Sequence, residues 1–240
     1  MVYYLEHTGR LSIPEFDLNT QLVVVSVMVM AVGLAMWVYK DNWEKILANL
    51  RRTYDLTLSG WSQALELRDR ETEGHSQRAV EMTLDIARKL GVSRLELEQK
   101  RRGALLHDIG KMAVPDAILL KPGKLTKAEW QVIHQHPQQA VRMLENIPYL
   151  KSALAIPHSH HERWDGSGYP QGLKGETIPF AARIFAVVDV WDALTSDRPY
   201  RKAWSDRKAR TYLKDKSGVL FDPQVVDVFL ELIERGTSMN

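Results

Sequence analysis

Between Leu18 and Tyr39 the chain runs for 22 residues without a charged side chain, LNTQLVVVSVMVMAVGLAMWVY. A helix of that length spans about 33 Å, enough to cross the ~30 Å hydrocarbon layer of a bilayer. Trp37 and Tyr39 fall where aromatic rings would meet the headgroups. A buried core helix or a long core strand is the competing reading of the same apolar run. A cleaved signal peptide fits poorly, because Glu6, Glu15 and Asp17 outnumber Arg10 ahead of the run and no small-residue cleavage site follows it. Lys40, Lys45, Arg51 and Arg52 come next, offset only by Asp41 and Glu44, and place the C-terminal side in the cytoplasm. The expected layout is a short extracytoplasmic tail (1–17), a single membrane-spanning helix (18–39) in the inner, cytoplasmic membrane, a stalk or linker helix (40–55) and a cytoplasmic domain (56–236).

After the apolar run the pattern stays helical. Trp43, Ile46, Leu47, Leu50, Tyr54, Leu58, Trp61 and Leu65 recur at helical spacing, predicting one amphipathic helix or two abutting ones, with Gly60 weakening the single helix. A helix over about 76–90 stops at Gly91, and Ser93 with Glu96 has capping-box spacing for the next, which runs toward His107. Thr126 with Glu129 repeats that spacing, and Pro137 suits the first turn of a further helix. Residues 163–179 hold four glycines and two prolines and read as loop. Ala181–Leu194 reads as a buried helix whose β-branched run also allows a strand; helices over 202–214 and from Asp222-Pro223 onward complete the chain. No alternating strand pattern recurs, so the expected fold is all-α.

Composition sharpens this picture in two places. The chain has 240 residues and no cysteine, so thiol catalysis, disulfide scaffolds and iron–sulfur clusters are excluded, and any metal must be held by nitrogen and oxygen. The formal charge is +2, too balanced for a protein built to coat DNA. Seven of the eight histidines lie between His75 and His161.

Those histidines alternate with carboxylates. Glu71 and His75 are four apart, which on one helix puts both on a single face. His107-Asp108 follows an apolar helix and precedes Gly110-Lys111: the carboxylate could bridge two ions, the glycine permits close backbone approach, and the lysine offers a charge to phosphate. His160-His161, about 100° apart if both are helical, suit two different ions. His136 precedes Pro137, and Asp189 lies in a nearly apolar helix where an unpaired carboxylate is costly. Asp165 and Asp192 are candidates to support ligand imidazoles from behind, whereas His134 and His158 read as structural or surface residues. Each pairing alone also fits ordinary packing; together they describe a cage for two or three ions.

The motifs ETEGHSQRAV (71–80), LLHDIGKMAVPDAIL (105–119), KPGKLTKAEW (121–130), HQHP (134–137), HHERWDGSGYPQGL (160–173) and DVWDALTSDRPYRKA (189–203) together resemble the HD-GYP family of the HD metal-hydrolase superfamily. The resemblance covers roughly Leu56–Leu232 and implies an HD-type helical domain that hydrolyses cyclic di-GMP to pGpG and GMP by attack of a metal-bridging hydroxide. It implies metal ligands at Glu71, His75, His107, Asp108, His136, His160, His161 and Asp189, catalytic roles for Asp108 and Lys111, and two or three divalent ions, iron or manganese. Lys111, Tyr169, Arg198 and Arg201 are the substrate-contact candidates. Tyr169 either stacks on a base or pins its loop. Leu106 stands where the family often has a histidine, a position outside the ligand set. The partners implied are a cyclic dinucleotide and the membrane, with a second copy of the chain and a diguanylate cyclase or sensor protein as further candidates. The alternatives are a membrane-anchored module that binds cyclic di-GMP or docks a protein without turnover, and an HD hydrolase for another nucleotide.

Overall fold

The computed structural model describes residues 4–5, 11–12, 17–69, 74–197 and 201–236. The chain divides into two units, Met1–Tyr54 and Asp55–Asn240. In the first, β1 (Tyr4–Leu5) and β2 (Leu11–Ser12) pair antiparallel, with Tyr4 opposite Ser12. Helix α1 (Leu18–Asp69) follows and passes through Gly60 without a break, so one helix covers both the apolar run and the amphipathic stretch. It contains an 18-residue window of mean hydropathy 2.4 with none of it buried, and is long and apolar enough to cross a membrane. The buried-core reading of this run therefore fails: Leu22, Val25, Met28, Val29 and Leu34 are all exposed.

The second unit is helical around one core. Helices α2 (His75–Lys89) and α3 (Arg94–Leu105) are followed by a 3-10 turn, Ile109–Ala113, and by α4 (Asp116–Leu119), α5 (Lys127–Ile133) and α6 (His136–Leu144). A second 3-10 turn, Pro148–Ala153, leads to α7 (Ala155–Ser159), and α8 (Phe180–Thr195), α9 (Asp206–Lys216) and α10 (Pro223–Glu234) close the unit.

Local chemistry sets many of these boundaries. Ser93 and Thr126 each accept from the backbone three residues on, while Glu96 and Glu129 reach back, completing two capping boxes. Asp222 caps α10 by accepting from Gln224 N–H at 2.9 Å, with Pro223 in the first turn. Gly91 takes φ 76° past the end of α2, and Val92 N–H returns to Ala87 O. The helix expected over 202–214 instead starts at Asp206, after Ser205.

Burial decides the ambiguous segment. In α8, Ile184, Phe185, Val187 and Val188 are fully buried against α2 and α10, where Ala79, Ile86, Val225 and Phe229 meet them. The helical penalty of a β-branched residue is under about 0.7 kcal/mol, whereas burying such a side chain contributes about 1.5–3 kcal/mol, so packing overrides the strand preference.

Candidate metal centre

The site forms where α3 ends. The chain leaves the helix at Leu106 and enters the 3-10 turn at Ile109, so His107 and Asp108 stand on the bend between them. Close approach of α6 beneath this bend requires Gly110: a Cβ there would lie 1.9 Å from His136 O and 2.7 Å from Ala140 N. The first residue of α6, His136, thereby reaches Asp108. His160 caps the end of α7, His161 follows it, and α2 and α8 contribute His75 and Asp189.

Two groups of ligand atoms result. Asp108, His136, His160 and His161 converge in one, and His75, His107 and Asp189 in the other, each within 4.8 Å internally. Asp108 stands between them: Oδ1 is 3.2 Å from His136 Nε2 and 3.7 Å from His160 Nε2, and Oδ2 is 3.1 Å from His107 Nε2. The second group is held by His75 Nε2 at 3.6 Å from Asp189 Oδ1. His160 and His161 thus fall in one group of ligand atoms, their ring centroids 4.0 Å apart, where the sequence suggested two separate ions.

The imidazoles are oriented from behind. Nδ1 of His107, His136 and His160 meets the carbonyls of Ala104 (2.9 Å), Ile133 (2.8 Å) and Ile156 (3.1 Å). A carbonyl only accepts, so Nδ1 carries the proton and a neutral ring presents a bare lone pair at Nε2. Nε2 of His136 and of His160 are 3.4 Å apart, with Asp108 Oδ1 beside both. Such convergence of lone pairs and a carboxylate is repulsive unless a cation lies among them. A proton is a poor candidate, since burial lowers the pKa of His160 and, with neighbouring His160 and His136, lowers that of His161 further. The residues present therefore fit divalent metal, and their nitrogen–oxygen donor set matches a transition ion better than calcium.

His75 is set differently. Its Nδ1 lies 2.7 Å from Asp192 Oδ2, and Asp192 also accepts from Arg78 Nε at 2.7 Å. Burial alone would raise the Asp192 pKa, but the His75 and Arg78 hydrogen bonds bring it down to about 2. Asp108 behaves alike: burial opposes its charge, yet Lys111 and His107 hold it well below the usual carboxylate range. Lys111 Nζ sits 2.6 Å from Asp108 Oδ2 and 3.1 Å from Asp69 Oδ2.

Residues 163–173 form the loop that brings Tyr169 against the first group. Glu162, buried, accepts from Gln171 N–H (2.7 Å) and Leu173 N–H (2.9 Å), which folds the glycine-rich loop back toward its own start. Gly168 lies against His161 O and Glu162 Cα, too close for any Cβ. Tyr169 is consequently sandwiched, with His161 on one side (centroids 4.7 Å, 26°) and His134 on the other (4.0 Å, 21°). Stacking with these two rings pins the loop against the first group.

Several candidates are placed elsewhere. Asp165 is exposed and accepts from Ser167 N–H at 2.8 Å, closing a local turn instead of supporting an imidazole. Arg201 donates to the carbonyls of Ala193 and Leu194 (3.2 Å) near the end of α8 and of Lys202 (2.9 Å). Gly74 adopts φ 72° and α2 begins at His75; Glu71, expected to share a helix face with His75, and Arg198 lie outside the described residues. Glu162 and Asp69 were not singled out by spacing. Glu162 follows the histidine pair directly, which is a signal; Asp69 has none.

A family profile described as "HD domain" matches residues 61–225. Among curated relatives, a cyclic di-GMP phosphodiesterase response regulator of Xanthomonas campestris is 43% identical over 192 residues, 78% of this chain and 51% of that protein. A cyclic di-GMP phosphodiesterase of Thermotoga maritima is 43% identical over 176 residues, covering 72% and 48%. A 3′3′-cGAMP-specific phosphodiesterase of Vibrio cholerae is 38% identical over 188 residues, covering 78% and 36%. The chain spans about half or less of the length of these relatives. The crystal structure of a cyclic GMP-AMP-specific phosphodiesterase of V. cholerae shares the fold with a TM-score of 0.60 at 22% identity, over 75% of this chain and 49% of that one.

Proposed function

The chain belongs to the HD domain family, of the HD-GYP type, and from that premise we propose that it is a metal-dependent phosphodiesterase that opens cyclic di-GMP to linear pGpG and onward to GMP. The observation that carries this reading is Asp108, a single carboxylate with one oxygen toward each of two histidine groups. His136, His160 and His161 would hold one ion with Asp108, and His75, His107 and Asp189 another; Glu71 is the candidate ligand for a third. Iron or manganese is the expected metal. When bound, the ions supply a hydroxide at neutral pH and neutralise charge on the phosphate.

The chain's own groups do the rest. Lys111 is a compact ammonium 2.6 Å from Asp108 Oδ2, placed to donate a hydrogen bond to a phosphate oxygen and offset negative charge as it develops there. Nδ1–H donation to fixed carbonyls sets the tautomer and ring orientation of His107, His136 and His160 and aims their Nε2 atoms inward. The loop held by Glu162 and Tyr169 covers His161 and limits water around it. The apolar stretch 18–39 would anchor the enzyme in the cytoplasmic membrane, with 40–55 as a stalk and 56–236 as the catalytic domain in the cytoplasm.

The test is turnover by the full chain in detergent, loaded anaerobically with Fe(II) or Mn(II). Expected products are pGpG and GMP from cyclic di-GMP. Because a 38% identical relative is named for 3′3′-cGAMP, that dinucleotide belongs in the same assay; a clear preference for it would change the substrate but not the chemistry. Tight binding without hydrolysis by protein carrying two ions per chain would sink the catalytic reading in favour of a binding module.

A further inference from the structure

We propose that Arg68, in the last turn of α1, is a positioning residue for the reaction: it clamps the segment after His107-Asp108 and so fixes where Lys111 stands. This rests on the phosphodiesterase reading for its kinetic consequence. The observation is a guanidinium spread over one short segment. Nη1 donates to Lys111 O and Met112 O, both at 3.1 Å, and Nη2 donates to Val114 O at 2.7 Å. Nε and Nη2 both reach Asp116 Oδ1, at 3.1 and 2.8 Å, where α4 opens. Lys111 O also accepts from Val114 N–H at 2.9 Å, so Arg68 is its second donor, and the same guanidinium, from a side chain some 40 residues earlier, reaches Met112 O and Val114 O where the 3-10 turn ends.

The neighbouring residue completes the grip. Asp69, with its side chain 3% exposed, accepts from Lys111 Nζ at 3.1 Å, and the same ammonium lies 2.6 Å from Asp108 Oδ2. The end of α1 therefore holds Lys111 by its main chain through Arg68 and by its ammonium through Asp69. Neither contact touches a metal-ligand atom. A planar fork with five donors can span three carbonyls and a carboxylate at once, whereas a lysine in its place brings one point charge and cannot.

Full-length protein in detergent, carrying its ions, provides the test with Arg68→Lys, Arg68→Ala, Lys111→Met and the Arg68→Lys/Lys111→Met pair. Misplacing a reacting group by about an ångström costs up to about 100-fold, so Arg68→Lys should lower kcat by about tenfold with KM and bound metal unchanged. Backbone amides of residues 109–116 should exchange hydrogen faster. In the Lys111→Met background the same substitution should cost under about twofold, because the group it positions is gone. Equal losses in both backgrounds, or unchanged exchange in 109–116, would overturn the proposal. If Arg68→Ala fails to fold, the lysine variant decides. If the wild-type protein turns over no cyclic dinucleotide, the functional reading fails by itself, and the exchange measurement still decides whether Arg68 holds the segment.

Discussion

His136 and His160 take their orientation from carbonyls three and four residues behind them, whereas His75 takes its orientation from Asp192, 117 residues away. The first arrangement exists as soon as α5 and α7 end properly. The second exists only when α2 has docked on α8 and Arg78 has joined Asp192. Within one centre, then, one group takes its orienting contacts at His136 and His160 from local chain geometry, while the other joins a locally oriented His107 to His75, whose orientation rests on tertiary packing. The packed group should lose its ion first under mild perturbation, and Asp108, which faces both, should be the residue whose loss erases the distinction.

That last point sets the largest expected effect. Asp108→Asn keeps the shape and removes the charge, and should abolish turnover while both groups lose metal; elemental analysis that finds one group still filled would show the two to be independent. Next comes Gly110→Ala, whose Cβ would collide with His136 O and Ala140 N. Overpacking of this kind costs about 1–3 kcal/mol or more, so thermal unfolding should fall by several degrees and the His136 group should suffer more than the His75 group. The comparison is weakened if both lose metal equally.

Asp192→Asn addresses the tertiary lock directly. Loss of an outer carboxylate behind a ligand histidine costs about 10–100-fold in metal affinity, here expected for the His75 group alone in a metal titration. The smallest effect is at Tyr169. Aromatic stacking contributes about 0.5–1.5 kcal/mol, so Tyr169→Ala should cost about two- to tenfold in kcat, while Tyr169→Phe, which keeps the stack on His161 and His134, should stay near wild type. A phenylalanine variant as weak as alanine would mean that the hydroxyl, not the ring, matters.

The comparison also explains which features were legible beforehand. Capping boxes at Ser93 and Thr126, the Asp222 cap and the stop at Gly91 are hydrogen bonds over two to five residues, so spacing alone reveals them. The glycine at 110 was readable as a close approach, but not what approaches it. For Asp165 and Arg201 the sequence showed a carboxylate near a histidine pair and an arginine in a family motif, but not the backbone groups, Ser167 N–H and the carbonyls of Leu194 and Lys202, that each one meets. Glu162, Asp69 and Arg68 were overlooked for the converse reason: their partners are loop amides, an ammonium and carbonyls supplied by distant turns.

By itself the sequence determined the helical character of the chain, the apolar run at its start and the kind of chemistry its donors permit, since these follow from periodicity, local hydrogen bonding and the absence of sulfur ligands. Only the tertiary structure decided that His160 joins His161 in one group, that Asp108 faces two groups, and that the last turn of α1 reaches Lys111. Those relations are distances between atoms far apart along the chain, and burial of α8 against its neighbours, rather than any local preference, brings most of those atoms within reach of one another.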